Sequence, residues 1–112
     1  MNPTTAWIDG QTVPVADAAF AADDFLVTSA AAVCETLRTF RHEPFLLDEH
    51  LDRLEASATA VRVPLRMPPA EIGPVVRDLV AANSDQIDAA DDFVVSIVAS
   101  PGRGRTLGRE SA

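Results

Sequence analysis

Two short stretches carry the side chains whose types could do chemistry: Cys34, Glu35 and Arg38 between Val33 and Phe40, and Glu49, His50 and Arg53 between Asp48 and Leu54. A thiol acts as a nucleophile only when a base or a local positive charge lowers its pKa, and no histidine stands near Cys34 in sequence. Cys34 therefore reads as a small buried hydrophobe. Alternation along a strand places Val33, Glu35, Leu37 and Thr39 on one face and Cys34, Thr36, Arg38 and Phe40 on the other. Both faces carry a charge, so either Glu35 or Arg38 lines a cleft or an interface. Arg38 can hold a carboxylate ligand, or pair with Glu35 or an aspartate. Glu49 precedes Arg53 by four residues, the favourable orientation for an ion pair on a helix surface. The same guanidinium could instead give a phosphate two parallel charge-assisted hydrogen bonds. His50 reads as a structural helix residue rather than a base.

Composition narrows the chemistry. All nine basic side chains of the 112 residues are arginine, so no side chain offers a primary amine for Schiff-base catalysis. One cysteine excludes an intramolecular disulfide, and neither His42 nor His50 has a second His or Cys at ligand spacing, so no metal site is expected. A net charge of −8 and a pI near 4.5 argue against nucleic acid as a partner, despite Arg103, Arg105 and Arg109 near the end. No signal peptide is visible, and no apolar run approaches the roughly 18–20 residues that span a bilayer. A cytoplasmic location, with no membrane partner, is the expectation.

The elements that must position these side chains follow from local pattern. Asp9-Gly10 between two β-prone runs predicts a hairpin over about residues 5–15. An irregular connection or short helical turn should follow from Val15 to Asp24. Val33–Phe40 is a strand, Arg41-His42-Glu43-Pro44 its turn, and Phe45-Leu46-Leu47 the returning strand. Asp48 should cap a helix running to about Val61, with Leu51, Leu54, Ala58 and Val61 as its apolar stripe. A second helix is expected at about 70–82, burying Ile72, Val75, Val76 and Leu79, with its regular part beginning only at Pro74. Phe93–Val98 reads as a central strand. The expected fold class is α+β, a two-layer sandwich with a mainly antiparallel sheet and two helices on one face.

The combination of Trp7-Ile8-Asp9-Gly10, Cys34-Glu35-Thr36-Leu37-Arg38 and Pro44-Phe45-Leu46-Leu47-Asp48-Glu49-His50-Leu51-Asp52-Arg53-Leu54 resembles the N-terminal domain of class IV (fold type IV) pyridoxal-phosphate enzymes. That family holds the branched-chain and D-amino-acid aminotransferases and aminodeoxychorismate lyase. The likeness continues through Ala56-Ser57-Ala58 and Val63-Pro64-Leu65, and covers roughly residues 6–100. It implies that Arg53 binds the phosphate of pyridoxal 5′-phosphate. It also implies that Cys34, Glu35 and Arg38 lie on a strand bordering the pocket for an amino-acid-like substrate, with Cys34 where an aromatic residue is usual. Family members are typically homodimers that use this domain at the interface.

Departures from the family pattern are equally specific. Its Gly-Asp-Gly before the strand is Ala30-Ala31-Ala32 here, its upstream Asp-Arg is Asp24-Phe25, and its Arg-Gly after the last strand is Ser100-Pro101-Gly102. The family's catalytic lysine comes from a second domain. The expected organisation is therefore an N-terminal domain over 1–100, a flexible tail or start of an interdomain linker over 101–112, and an absent C-terminal catalytic domain or partner chain. Such a chain should be inactive alone, whether its parent is an aminotransferase or a lyase. The alternative is a stand-alone, non-catalytic binding module that retains the fold.

Overall fold

At Asp9-Gly10 the backbone takes φ values of 49° and 90°, the left-handed pair that a two-residue hairpin turn requires. This turn joins β1 (Thr5–Ile8) to β2 (Gln11–Pro14) as a separate two-stranded antiparallel sheet, as the sequence predicts. The computed structural model describes residues 4–104. A 3₁₀ turn at Val15–Asp17 leads towards α1 (Phe25–Ser29), a short helix that the sequence pattern does not announce. Asp24 caps it by accepting a hydrogen bond from the Leu26 N–H at 2.9 Å. Ala30 ends it with φ 53°, taking the left-handed conformation that glycine adopts without strain.

The main sheet has the order β4-β3-β5, with β3 (Val33–Phe40), β4 (Glu43–Pro44) and β5 (Val94–Ala99) all antiparallel. β3 is the central strand. β5, expected to be central, lies at the edge because only β3 pairs with it among the described residues. Its alternate residues Val94, Ser96 and Val98 are exposed, because no described element covers the outer face of the sheet. The β3–β4 turn is tighter than expected: Arg41 and His42 alone form it, at φ 51° and 64°, and β4 is only Glu43–Pro44.

Helix α2 (Leu47–Val61) starts one residue before Asp48. Leu46, in a left-handed conformation, stands at the cap position, and Asp48 with Glu49 occupies the first turn, where acidic side chains favour the positive end of the helix dipole. Its buried stripe is Leu47, Leu51, Leu54 and Ala58; Val61, expected on that stripe, is exposed at the last turn. α3 (Pro69–Ala82) begins at Pro69 and carries Pro74 inside it rather than starting there. Its buried line runs through Gly73, Val76 and Val80, so the face is rotated from the expected one and Ile72, Val75 and Leu79 are half-buried. Gly73 faces Leu47 and Leu51 of α2. A Cβ there would sit 3.6 Å from Leu51 Cδ1, so α3 approaches α2 along that line.

The core thus lies between one face of the sheet and the two helices. Val33 and Leu37 of β3 meet Leu47, Leu51, Leu54, Ala58, Val63 and Val76, with Leu65, Ile72, Val95, Ile97 and Ala99 packed around them. The fold is the α+β two-layer arrangement expected, with α2 and α3 on one side of an antiparallel sheet. Residues 101–104, expected to open a flexible tail, return to the body. The Phe25 N–H donates to the Gly102 carbonyl and the Gly104 N–H to the Asp23 carbonyl, both at 2.9 Å, and Arg103 pairs with Asp23. The rest of the expected tail, with Arg105, Gly108 and Arg109, lies outside the described residues.

Candidate functional site

Strand alternation decides what β3 can present. Val33, Glu35, Leu37 and Thr39 are buried against the helices, while Cys34, Thr36, Arg38 and Phe40 are exposed on the outer face. A carboxylate on an apolar face is costly to ionise unless it is paired and hydrogen-bonded. Helix α2 supplies the partners. His50 and Arg53 are three residues apart and share one flank of the helix, beside the buried Leu51–Leu54 stripe and over Glu35.

The geometry is close. His50 Nδ1 lies 2.7 Å from Glu35 Oε1, and Arg53 Nη2 lies 2.9 Å from the same oxygen. Arg53 Nε donates to Oε2 at 3.4 Å. These bonds to His50 and then to Arg53 hold the Glu35 carboxyl below its ordinary 4.5, outweighing the opposing effect of burial. An ionised carboxylate only accepts, so the donor of this hydrogen bond is the His50 Nδ1–H. The Glu35 side chain is 8% exposed and Arg53's is 69% exposed, so a buried anion anchors a guanidinium that reaches the surface.

A guanidinium has five N–H donors. Glu35 engages the edge formed by Nε and one Nη2 hydrogen, leaving three donors without a protein partner among the described residues. The Nη1/Nη2 edge is the one whose parallel donors match two oxygens of a phosphate or carboxylate. Arg53 thus has the chemistry of an anion-binding group held by a second anion. Its acidic partner in the structure is Glu35 and not Glu49, the neighbour at helical spacing.

Arg38 follows a different course. It pairs with Asp92 at 3.3 Å, donates to the Thr39 carbonyl, and lies 4.1 Å from the Phe40 ring centroid. Asp92 accepts from the buried Thr39 hydroxyl at 2.8 Å and from the His42 N–H at 3.2 Å. The Thr39 hydroxyl, then the His42 N–H and Arg38, keep the Asp92 carboxyl below its usual 3.8 despite partial desolvation. This cluster ties the β3–β4 turn to the segment entering β5. Cys34, expected to be buried, is exposed on the outer face opposite Val98, because no described element packs against that face of the sheet. The structure therefore brings Glu35 to Arg53 and leaves Cys34 and Arg38 on the opposite side of the sheet. The three strand residues do not share one pocket among the described residues.

Sequence reasoning missed the His50–Glu35 bond. A signal for it existed: a charge among Val33, Leu37 and Thr39 must find partners, and the flank of α2 bearing positions 50 and 53 offers a hydrogen-bond donor and a cation. Among the described residues no cluster of three or more His, Cys, Asp or Glu side chains is arranged to hold a metal ion. None of the described helices is long and apolar enough to cross a membrane.

No curated protein sequence matches the chain. Among solved structures it is similar to the branched-chain aminotransferase of Thermoproteus uzoniensis, with TM-score 0.81 and 21% identity over 96% of this chain and 37% of that one. It is also similar to a hypothetical aminotransferase from Mycobacterium tuberculosis in its PLP-bound form, with TM-score 0.66 and 26% identity over 85% of this chain and 32% of that one. A branched-chain amino acid aminotransferase from T.th. gives TM-score 0.79 and 22% identity over 96% of this chain and 36% of that one. The chain thus spans about a third of the length of each of these proteins. The model of the amino-transferase class IV family matches residues 32–111, which include β3, α2 and the Glu35–His50–Arg53 cluster, and the chain belongs to that family.

Proposed function

We propose that this chain is the N-terminal domain of a pyridoxal-phosphate-dependent class IV aminotransferase or lyase acting on amino-acid-like substrates, and that Arg53 binds the phosphate of the cofactor. The observation that carries this reading is the state of Arg53: one edge is anchored by a buried carboxylate, and three donors are left over on an exposed side chain. That donor set fits a phosphate. The Mycobacterium tuberculosis relative binds PLP, and the T.th. enzyme is complexed with N-(5′-phosphopyridoxyl)-L-glutamate, both of which carry such a group.

When bound, pyridoxal phosphate supplies an electron sink for reactions at the α-carbon of an amino acid. This chain contributes orientation and charge. Arg53 grips the phosphate and so fixes one end of the cofactor, and α2 holds Arg53 through its packing on β3. On the outer face of β3, Cys34 and Arg38 border the substrate. The chain contains no lysine, so the amine that the chemistry requires must come from elsewhere. A second domain would supply it, and that domain or a second copy in a homodimer would cover the apolar outer face, where Val94 is 74% and Phe40 48% exposed. In this reading residues 1–100 are the domain, and 101–104 are held against it by Phe25 and Asp23.

The test uses the protein as its reading frame encodes it, with intact mass measured first. Dissociation constants are then compared for pyridoxal 5′-phosphate and for pyridoxal, which lacks the phosphate. Arg53→Ala should weaken the phosphorylated ligand about 100-fold, the worth of two charge-assisted hydrogen bonds, and leave pyridoxal within about twofold. Equal weakening of both ligands, or of neither, refutes the assignment.

A further inference from the structure

We propose that Glu35 and His50 are positioning residues for the Arg53 anion site: they act on a bound phosphate only through the guanidinium, by fixing which of its edges is free. The inference rests on the reading of Arg53 as the phosphate ligand and goes beyond it to how that ligand is held. An arginine that is mostly exposed has many rotamers of similar energy, and an anion that binds it must pay for ordering them. Glu35 removes much of that cost in advance. It is rigid because it sits on the central strand, buried beside Val33 and Leu37. Both its oxygens face Arg53, which occupies them with Nε and Nη2.

His50 completes the device. A carboxylate can rotate about its terminal bond, and only one orientation offers both oxygens to the same guanidinium edge. His50 Nδ1, at 2.7 Å from Oε1, fixes that orientation from the other side. The His50 side chain is 16% exposed and belongs to the same helix as Arg53, so donor, carboxylate and guanidinium move as one body. The remaining Nη1/Nη2 edge is thereby presented as a fixed fork, the geometry that a phosphate takes bidentately. The arrangement also explains why Arg53 does not collapse onto Glu49 four residues earlier. Its side-on edge is already satisfied by a better-oriented carboxylate.

The experiment compares wild type, Glu35→Gln, His50→Ala and Arg53→Ala in the protein as its reading frame encodes it. It measures the ratio of the dissociation constants for pyridoxal and pyridoxal 5′-phosphate, together with the Arg53 Nε–Hε signal in a ¹H–¹⁵N spectrum. Glutamine keeps the shape of Glu35 but offers one acceptor oxygen in place of two. Glu35→Gln should lower the ratio about tenfold, chiefly by weakening the phosphorylated ligand, and broaden or shift the Arg53 Nε–Hε signal. His50→Ala should lower it about threefold. An unchanged or raised ratio in Glu35→Gln overturns the proposal, because the carboxylate then only offsets charge. Equal weakening of both ligands also overturns it, since that marks a structural role. In either case a lowered ratio in Arg53→Ala leaves the phosphate reading intact, and a ratio unmoved by Arg53→Ala fails both. Should Glu35→Gln not fold, His50→Ala decides alone: an unmoved ratio with an unmoved Arg53 signal overturns the proposal.

Discussion

Asn83→Ala should detach the N-terminal hairpin before the rest of the domain unfolds. The β1–β2 sheet shares no strand pairing with the β4-β3-β5 sheet, and a lone two-stranded hairpin is marginal in water. Its buried polar attachment among the described residues is Asn83, at the end of α3. The Asn83 Oδ1 accepts from the Thr5 N–H at 2.8 Å, and Nδ2 donates to Thr5 Oγ1 at 3.0 Å and to the Leu79 carbonyl at 2.9 Å. A further bond from Nδ2 to the Thr5 carbonyl is longer, at 3.3 Å. At about 1 kcal/mol for each of the three shorter bonds, truncation to alanine costs about 3 kcal/mol. With a urea m-value of ~1–1.5 kcal/mol/M, the midpoint should fall by about 2 M. Trp7 lies on β1 and reports the hairpin by fluorescence, while far-UV circular dichroism reports α2 and α3. In the variant the Trp7 transition should precede the helical one, and the Thr5 amide should lose protection from hydrogen exchange. Ser84→Ala, at the exposed neighbouring position, should stay within about 0.5 kcal/mol of wild type. A loss below about 1 kcal/mol in Asn83→Ala, with both probes still coincident, would refute the assignment of the hairpin's anchor to this side chain.

Three other outcomes follow from the same structure. Leu54→Ala removes a side chain of zero exposure from the middle of the core and should cost about 2–5 kcal/mol in denaturant unfolding, whereas the exposed Asp52→Ala should cost almost nothing. Ala30→Gly relieves a left-handed alanine worth about 1–2 kcal/mol of strain against an entropic cost of about 0.5–1, so the melting temperature should rise or at least hold. In acid, Glu35 and Asp92 have folded-state pKa values below their ordinary 4.5 and 3.8. Their contribution to stability is therefore complete above those ordinary values and is lost as pH falls through the folded ones. Urea midpoints should drop below about pH 4.5, and Glu35→Gln should flatten its share of that drop.

Local pattern by itself determined a good deal. Asp9-Gly10 specifies its hairpin because few residue pairs tolerate two left-handed positions in succession. The alternation from Val33 to Phe40 and the 51–54–58 stripe define which faces are buried, since each depends only on the period of the element. The absence of lysine excludes one class of catalysis from this chain's own side chains whatever the fold. Tertiary structure decided the rest. The alternation shows that Glu35 and Arg38 face opposite ways, but only the packing of α2 on β3 shows that Glu35 meets His50 and Arg53, 15 and 18 residues away. It likewise sends Arg38 to Asp92, 54 residues distant, and not to Glu35. Helical spacing offers Glu49 to Arg53, yet the buried carboxylate wins because it is rigid, desolvated and already oriented by a histidine. The same cause runs through the corrections at Cys34, β5 and Gly73. Periodicity states which way a side chain points from its own element, whereas its partner, its exposure and its charge state depend on what the neighbouring layer places opposite it.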